Sequence, residues 1–328
     1  PLLIISLTGT VIANLLAGTA TTAWLLFLAR FLDGITGGNA SVAQAVISDV
    51  TTPENRARGF GINGAAFGLG FVLGPVISLL AQQISLGAAF LVSGAIAAVA
   101  LVLTLFLLPE TLPPRVTATG NLFDLGLANL IRGLTFPRVG ILLVINFLIG
   151  TTFTIFTYAF QPYFIQVLDQ TNNTLTLMFL TFGVLGVLMQ TWGISILTKR
   201  LNLVSILLFS LFIRSSSFVL MPIWANVIYF VAVSIIFSLF NSLVQPMITA
   251  LISLNTKPAD QGMALGLNAS YLSISNAFGP VIAGLLIHSD NPVTYTYPLY
   301  LSGILTFGVL LLAIGTRDRY QVNQQPST

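Results

Sequence analysis

The chain has 328 residues, 55% of them hydrophobic and only 6% charged, with a formal net charge of +3. A soluble domain carries about a quarter charged residues, so a water-soluble globular fold is excluded and the solvent must be lipid. With no cysteine in the chain, a disulfide framework and thiol chemistry are excluded as well.

Apolar runs near the length of about 20 residues that crosses a bilayer predict ten spans, at roughly 1–18, 23–49, 58–81, 86–108, 139–163, 174–197, 202–221, 224–252, 262–287 and 294–316. The first run, PLLIISLTGTVIANLLAG, has no basic leader and no small-residue cleavage site. It reads as a membrane helix rather than a signal peptide.

The second run contains LARFLDGITGGNASVAQA, residues 28–45, with Arg30 and Asp33 followed by Gly34, Gly37, Gly38 and Ala40. Residues three and four apart share a helix face, so Arg30, Asp33, Gly34 and Gly38 form one stripe. An ionisable group at mid-bilayer costs about 2.5–3.5 kcal/mol or more unless paired or hydrated. The stripe must therefore face a cavity or another helix. Two readings stay open: a structural pair that fixes packing, or a proton-coupling pair in which protonation of Asp33 frees Arg30.

Asp49, Glu54, Arg56 and Arg58 follow at a membrane edge, either as a solvated, orientation-setting loop or as a charge network that gates one side. In the third run, Gly70 and Gly74 allow close helix approach, and Pro75 removes a backbone donor and bends the helix. The fourth run ends at LPET, and the polar stretch 109–138 is the one long connection. The expected organisation is a partial N-terminal bundle of four spans (1–108), a cytoplasmic linker (109–138), a six-helix C-terminal bundle (139–316) and a cytoplasmic tail (317–328).

Polar residues at mid-span are candidate substrate contacts: Gln44, Asn63, Gln161, Gln190, Asn241, Gln245 and Asn268. Each could equally be an interhelical hydrogen bond. Asn241 and Gln245 share a face, and Pro246 could break their helix. Phe67, Tyr158 and Tyr271 suit a mostly apolar pocket with a few polar anchors. Arg214 is a second cation inside a span with no acid nearby in sequence. It either meets substrate or pairs with a backbone carbonyl near the cytoplasmic end.

Ten of the twelve basic residues fall in alternate loops: Arg56, Arg58, Arg115, Arg132, Arg138, Lys199, Arg200, Lys257, Arg317 and Arg319. The opposite loops carry no Lys or Arg. The positive-inside rule places the basic loops and both termini in the cytoplasm.

The chain also repeats itself. Pro53 matches Pro258, Gly61 matches Gly266, Asn63 matches Asn268, and GPVI at 74–77 matches GPVI at 279–282, all at an offset of 205 residues. Gly279 and Pro280 thus repeat Gly74 and Pro75. Two duplicated halves are the parallel-repeat architecture of many secondary transporters. The later GPVI helix is fifth in a six-span half, whereas the earlier one is third in its half. By symmetry, ten spans are present of an expected twelve, the first two being missing.

RFLDGITGG at 30–38, SDVTTPENRARGFG at 48–61, GFVLGPVIS at 70–78 and LPET at 108–111 resemble motifs of the major facilitator superfamily, specifically its drug:proton antiporter branch, which includes tetracycline-efflux proteins. Ser78 and Leu79 stand where that branch has paired glycines. The resemblance implies an all-α two-bundle fold and export of a small amphipathic compound in exchange for protons, by alternating access. It implies Arg30 as the motif arginine tied to proton transfer, and a monomer at home in the bacterial inner membrane. A sugar or metabolite symporter or uniporter of the same superfamily, or a non-functional truncated relic, are the alternatives. Expected partners are a small-molecule substrate, protons and the lipid bilayer, with no nucleic acid. The sequence shows no Gly-Lys-Ser phosphate loop, metal cluster or nucleophile elbow, and its single histidine, His288, argues against a membrane enzyme. No cofactor or metal is expected.

Overall fold

The computed structural model describes residues 1–50, 66, 69–70, 73–74, 76–111, 127–257, 260–288 and 290–321. All regular structure among them is helical. The chain divides into two compact units, Pro1–Thr119 and Gly120–Thr328.

In the first unit, α1 (Leu2–Gly18) packs against α4 (Ala88–Leu107) and α2 (Ala23–Thr36), and α3 (Asn39–Val50) follows α2. Residues 76–82 are also helical. Close approach explains two glycines of this unit: a Cβ at Gly87 would fall on the Gly18 carbonyl oxygen, and one at Gly9 would overlap the Thr36 side chain. Thr22 opens α2 by accepting the Leu25 N–H at 3.3 Å.

The sequence predicts one span over 23–49; the structure has two helices there, broken at Gly37 and Gly38. Gly37 has φ −71° and ψ 62°, the conformation of an inverse γ-turn. The Gly38 N–H accordingly donates back to the Thr36 carbonyl at 2.8 Å. Adjacent glycines have poor helix propensity, and this pair yields to the turn.

The second unit holds α5 (Leu127–Thr135), α6 (Val139–Pro162), α7 (Asn172–Leu188), α8 (Leu203–Leu220), α9 (Val227–Leu254), α10 (Gln261–Leu286), α11 (Tyr297–Gly315) and α12 (Arg317–Tyr320). One π-helical turn, Tyr163–Val167, extends α6, and another, Met189–Gly193, extends α7 into a last short turn Ile194–Leu197. Thr171, Asn202 and Asn226 stop the connections by capping α7, α8 and α9 with their side chains. Among the described residues seven helices are long and apolar enough to cross a membrane, and Leu2–Gly18 is apolar but shorter. α9 runs through Pro246 and α10 through Pro280 without ending, so Pro246 does not break its helix.

α6 is the spine of this unit, packing chiefly on α10 and α11. Its first half joins an aliphatic cluster with Leu142, Leu143, Ile145, Leu207, Leu211 and Ile248. Its second half joins an aromatic cluster with Phe156, Phe160, Phe164, Phe218, Phe230 and Phe237, in which the Phe156 and Phe218 rings stack at 4.4 Å. In lipid such contacts bind helices through dispersion rather than through water exclusion. The polar stretch 109–138 is not all loop: α5 lies within it. The Tyr271 hydroxyl of α10 donates to the Leu130 carbonyl at 2.8 Å, and Gly133 fits against Leu267.

Candidate functional site

In the first unit, Arg30 Nη1 lies 3.2 Å from Asp33 Oδ2, an ion pair across one helical turn. The side chains are 44% and 29% exposed, so the pair is neither sealed in the core nor free of protein. The Arg30 guanidinium also sits over the Phe90 ring of α4, 5.4 Å from its centre. Beside the pair, a Cβ at Gly34 would meet nothing within 4 Å. Among the described residues, the stripe is therefore a charged pair with an aromatic face on one side and no neighbour against Gly34 on the other. Gln44 is half-buried on α3.

The second unit gathers amides. Gln245 Nε2 on α9 donates to Asn146 Oδ1 on α6 at 3.0 Å, and Asn146 Nδ2 donates to Asn268 Oδ1 on α10. One amide chain thus ties three helices together. Asn146 is fully buried and escaped the sequence reading; its signal was an amide within an otherwise apolar run. Gln190 lies in the π turn of α7 and donates from Nε2 to the Ser242 carbonyl at 3.4 Å, while its Oε1 is buried without a hydrogen-bond partner. A π turn re-aims one side chain, and such turns are frequent at functional sites. Asn241 is half-buried on α9. Tyr271 stands edge-on to Phe147, with ring centres 6.3 Å apart. Tyr158 and Gln161 are exposed at the far end of α6 and stand apart from the amide chain.

Arg214 is 1% exposed. Its Nη2 donates to the Ile149 carbonyl at 2.7 Å and to Thr152 Oγ1 at 3.0 Å. The guanidinium lies over the Phe153 and Phe218 rings, 5.4 and 5.3 Å from their centres. The two oxygens and two aromatic faces, all from α6 and α8, form a cage. The carbonyl partner lies on the neighbouring helix, and Arg214 stands nearer the Leu220 end of α8 than the Leu203 end, the end opposite the basic loops.

The GPVI repeat differs between the halves. A Cβ at Gly279 would overlap the Thr154 side chain and approach the Ile155 N at 2.9 Å, whereas Cβ atoms at Gly70 and Gly74 would meet nothing within 4 Å. Pro280 is half-buried within α10. Asn63, Phe67, Pro75, Glu54, Arg56 and Arg58, and the side chain of Asp49, lie outside the described residues. Among the described residues no cluster of His, Cys, Asp or Glu could hold a metal ion.

The sequence resembles proteins of known naming along most of its length. It is 25% identical to the class H tetracycline resistance protein of Pasteurella multocida, over 95% of this chain and 78% of that protein. A shorter stretch of 111 residues is 43% identical to the class E tetracycline resistance protein of Escherichia coli, covering 34% of this chain and 27% of that protein. Multidrug resistance protein 1 of Bacillus subtilis is 25% identical over 93% of this chain and 75% of its own length. In three dimensions the chain superposes on the human organic anion transporter MFSD10 with a TM-score of 0.78 at 20% identity, over 95% of this chain and 76% of that one, which establishes the fold alone. The family profile of the Major Facilitator Superfamily matches residues 1–138 and 142–328. With that match and an all-helical, multi-span fold of the same type, the chain belongs to the Major Facilitator Superfamily and is an integral membrane transporter, not an enzyme.

Proposed function

We propose that the protein exports a small amphipathic, drug-like compound in exchange for inward protons, by alternating access. The observation that carries this reading is the Arg30–Asp33 pair, a partly exposed ion pair on α2. A carboxylate held by one guanidinium is a two-state element: protonation removes the anion and releases the cation. Relatives named for tetracycline and multidrug resistance, similar over most of the chain, support the substrate class. The amide chain of Gln245, Asn146 and Asn268, with Gln190, supplies uncharged polar anchors beside aromatic and aliphatic surface, as a pocket for such compounds needs. On this reading Tyr158, Gln161, Asn241 and Tyr271 are further candidate contacts. The termini and the 109–138 connection are cytoplasmic, in a bacterial inner membrane, and the working unit is one chain.

Proteoliposomes with an imposed pH gradient test the proposal. Substrate-dependent proton flux is the expected outcome, and Arg30→Ala should abolish it while the protein still inserts. Full proton-linked export by Arg30→Ala would remove Arg30 from the mechanism. Substrate flux that ignores the pH gradient would point instead to uniport; Ser78 and Leu79 in place of paired glycines make the antiporter motif imperfect.

A further inference from the structure

The break between α2 and α3 falls at the middle of the stretch 23–50, with a nearly equal length of helix on each side. Non-helical backbone at membrane depth is tolerated only where protein or trapped water satisfies it. Here one side chain from another helix does so. Ser6 of α1 is 4% exposed. Its hydroxyl donates to the Thr36 carbonyl, the last of α2, and accepts from the Gly38 N–H at 2.9 Å, just ahead of α3. Beside the γ-turn's own Gly38-to-Thr36 bond, the serine closes a second path between the same two groups. A second tie lies alongside, where Asn39 Nδ2 donates to Thr10 Oγ1 at 3.0 Å.

We propose that Ser6 is a positioning residue for transport: a pivot that fixes the angle between the segment bearing Arg30 and Asp33 and the segment Asn39–Val50. The repeat isolates this feature. The positions 205 residues on from Gly37 and Gly38 are Ser242 and Leu243, and α9 runs unbroken through both. The break therefore belongs to the half with the ion pair and is no requirement of the shared fold. Gly9 makes the latch possible, because it alone lets α1 approach Thr36 closely enough.

The absence of cysteine permits a direct test on the full chain. Spin labels on Leu28→Cys in α2 and Val50→Cys in α3, both exposed, report the inter-segment distance distribution. The expected result is a narrow distribution in the parent, clear broadening in Ser6→Ala, and recovery in Ser6→Thr, which keeps the hydroxyl. Gly9→Ala, which pushes α1 off Thr36, should broaden it equally and decides the matter if Ser6→Ala fails to insert. An unchanged distribution in Ser6→Ala, equal broadening in Ser6→Thr, or no effect of Gly9→Ala would each overturn the proposal. In proteoliposomes Ser6→Ala should lower the maximal transport rate by about tenfold, the worth of one bridging hydrogen bond, and Ser6→Thr should restore it; a rate unchanged in Ser6→Ala would overturn the transport role. The pivot rests on the export reading only for that last measurement, so failure of export would leave the distance result standing.

Discussion

Arg214 shows what a buried charge in a membrane helix asks of its neighbours. No acid is needed, because two oxygens and two aromatic faces stand in for one. The cage also survives without its occupant. The Ile149 carbonyl keeps its own helix, and the Thr152 hydroxyl already donates to it at 3.0 Å. Arg214→Met should therefore fold with a midpoint in detergent melting within a few degrees of the parent. Arg214→Lys keeps a charge but cannot span the same oxygens and rings, and should be destabilised by about 1–3 kcal/mol. A lysine variant more stable than the methionine variant would contradict the cage. The spacing of Arg30 and Asp33 made their shared face legible in sequence, but the hydrogen-bond partners of Arg214 lie 62 and 65 residues away. Nothing along the chain points to them.

Among the elements, α10 tests the repeat. Gly279 is packed on Thr154 and Ile155, whereas a Cβ at Gly74 would meet none of the described residues within 4 Å. Gly279→Val should destabilise the protein by about 1–3 kcal/mol through overpacking, and Thr154→Ala should recover part of the loss. Gly74→Ala should be close to neutral for folding, so equal effects at both sites would refute the asymmetry. The short α12 is held by Tyr320, whose hydroxyl donates to the Ala313 carbonyl and whose own carbonyl accepts from Asn255 Nδ2 at 3.0 Å. Burial pushes the Tyr320 phenol up to about 12 from 10.0, against a smaller opposing pull from Thr316. The neutral phenol is the form that fits, so its contribution is complete below about pH 10 and is lost as pH rises through about 12. Phenolate absorbance should show one fewer late-titrating tyrosine in Tyr320→Phe than in the parent. Ionisation of every tyrosine near the ordinary value would show the site to be open.

For the whole molecule, the distribution of charge predicts orientation. Successive spans of the second unit alternate direction, so Lys199, Arg200, Lys257, Arg317 and Arg319 share one end, while Asp169, His288 and Asp290 share the other. Single cysteines at Arg200 and Asn226 should react with an impermeant reagent from opposite sides, the first from the cytoplasm only. Labelling of both from one side would overturn the topology. The number of apolar runs and their spacing made the helical membrane fold readable, because lipid admits few backbone solutions and marks each by length. The run 23–49 was the exception, since length and hydropathy do not register a turn confined to two glycines.

By itself the sequence determined the solvent, the helical class, the duplicated halves and the family, because each is written in composition, period or a local motif. Only the tertiary structure decided that Asn146 joins Asn268 and Gln245, that aromatic rings and oxygens cage Arg214, and that Ser6 bridges the broken helix. The hydrogen bonds among those contacts join residues 30 or more positions apart. Such pairings are set by which helix faces meet, and a pattern confined to one helix carries no record of the face opposite.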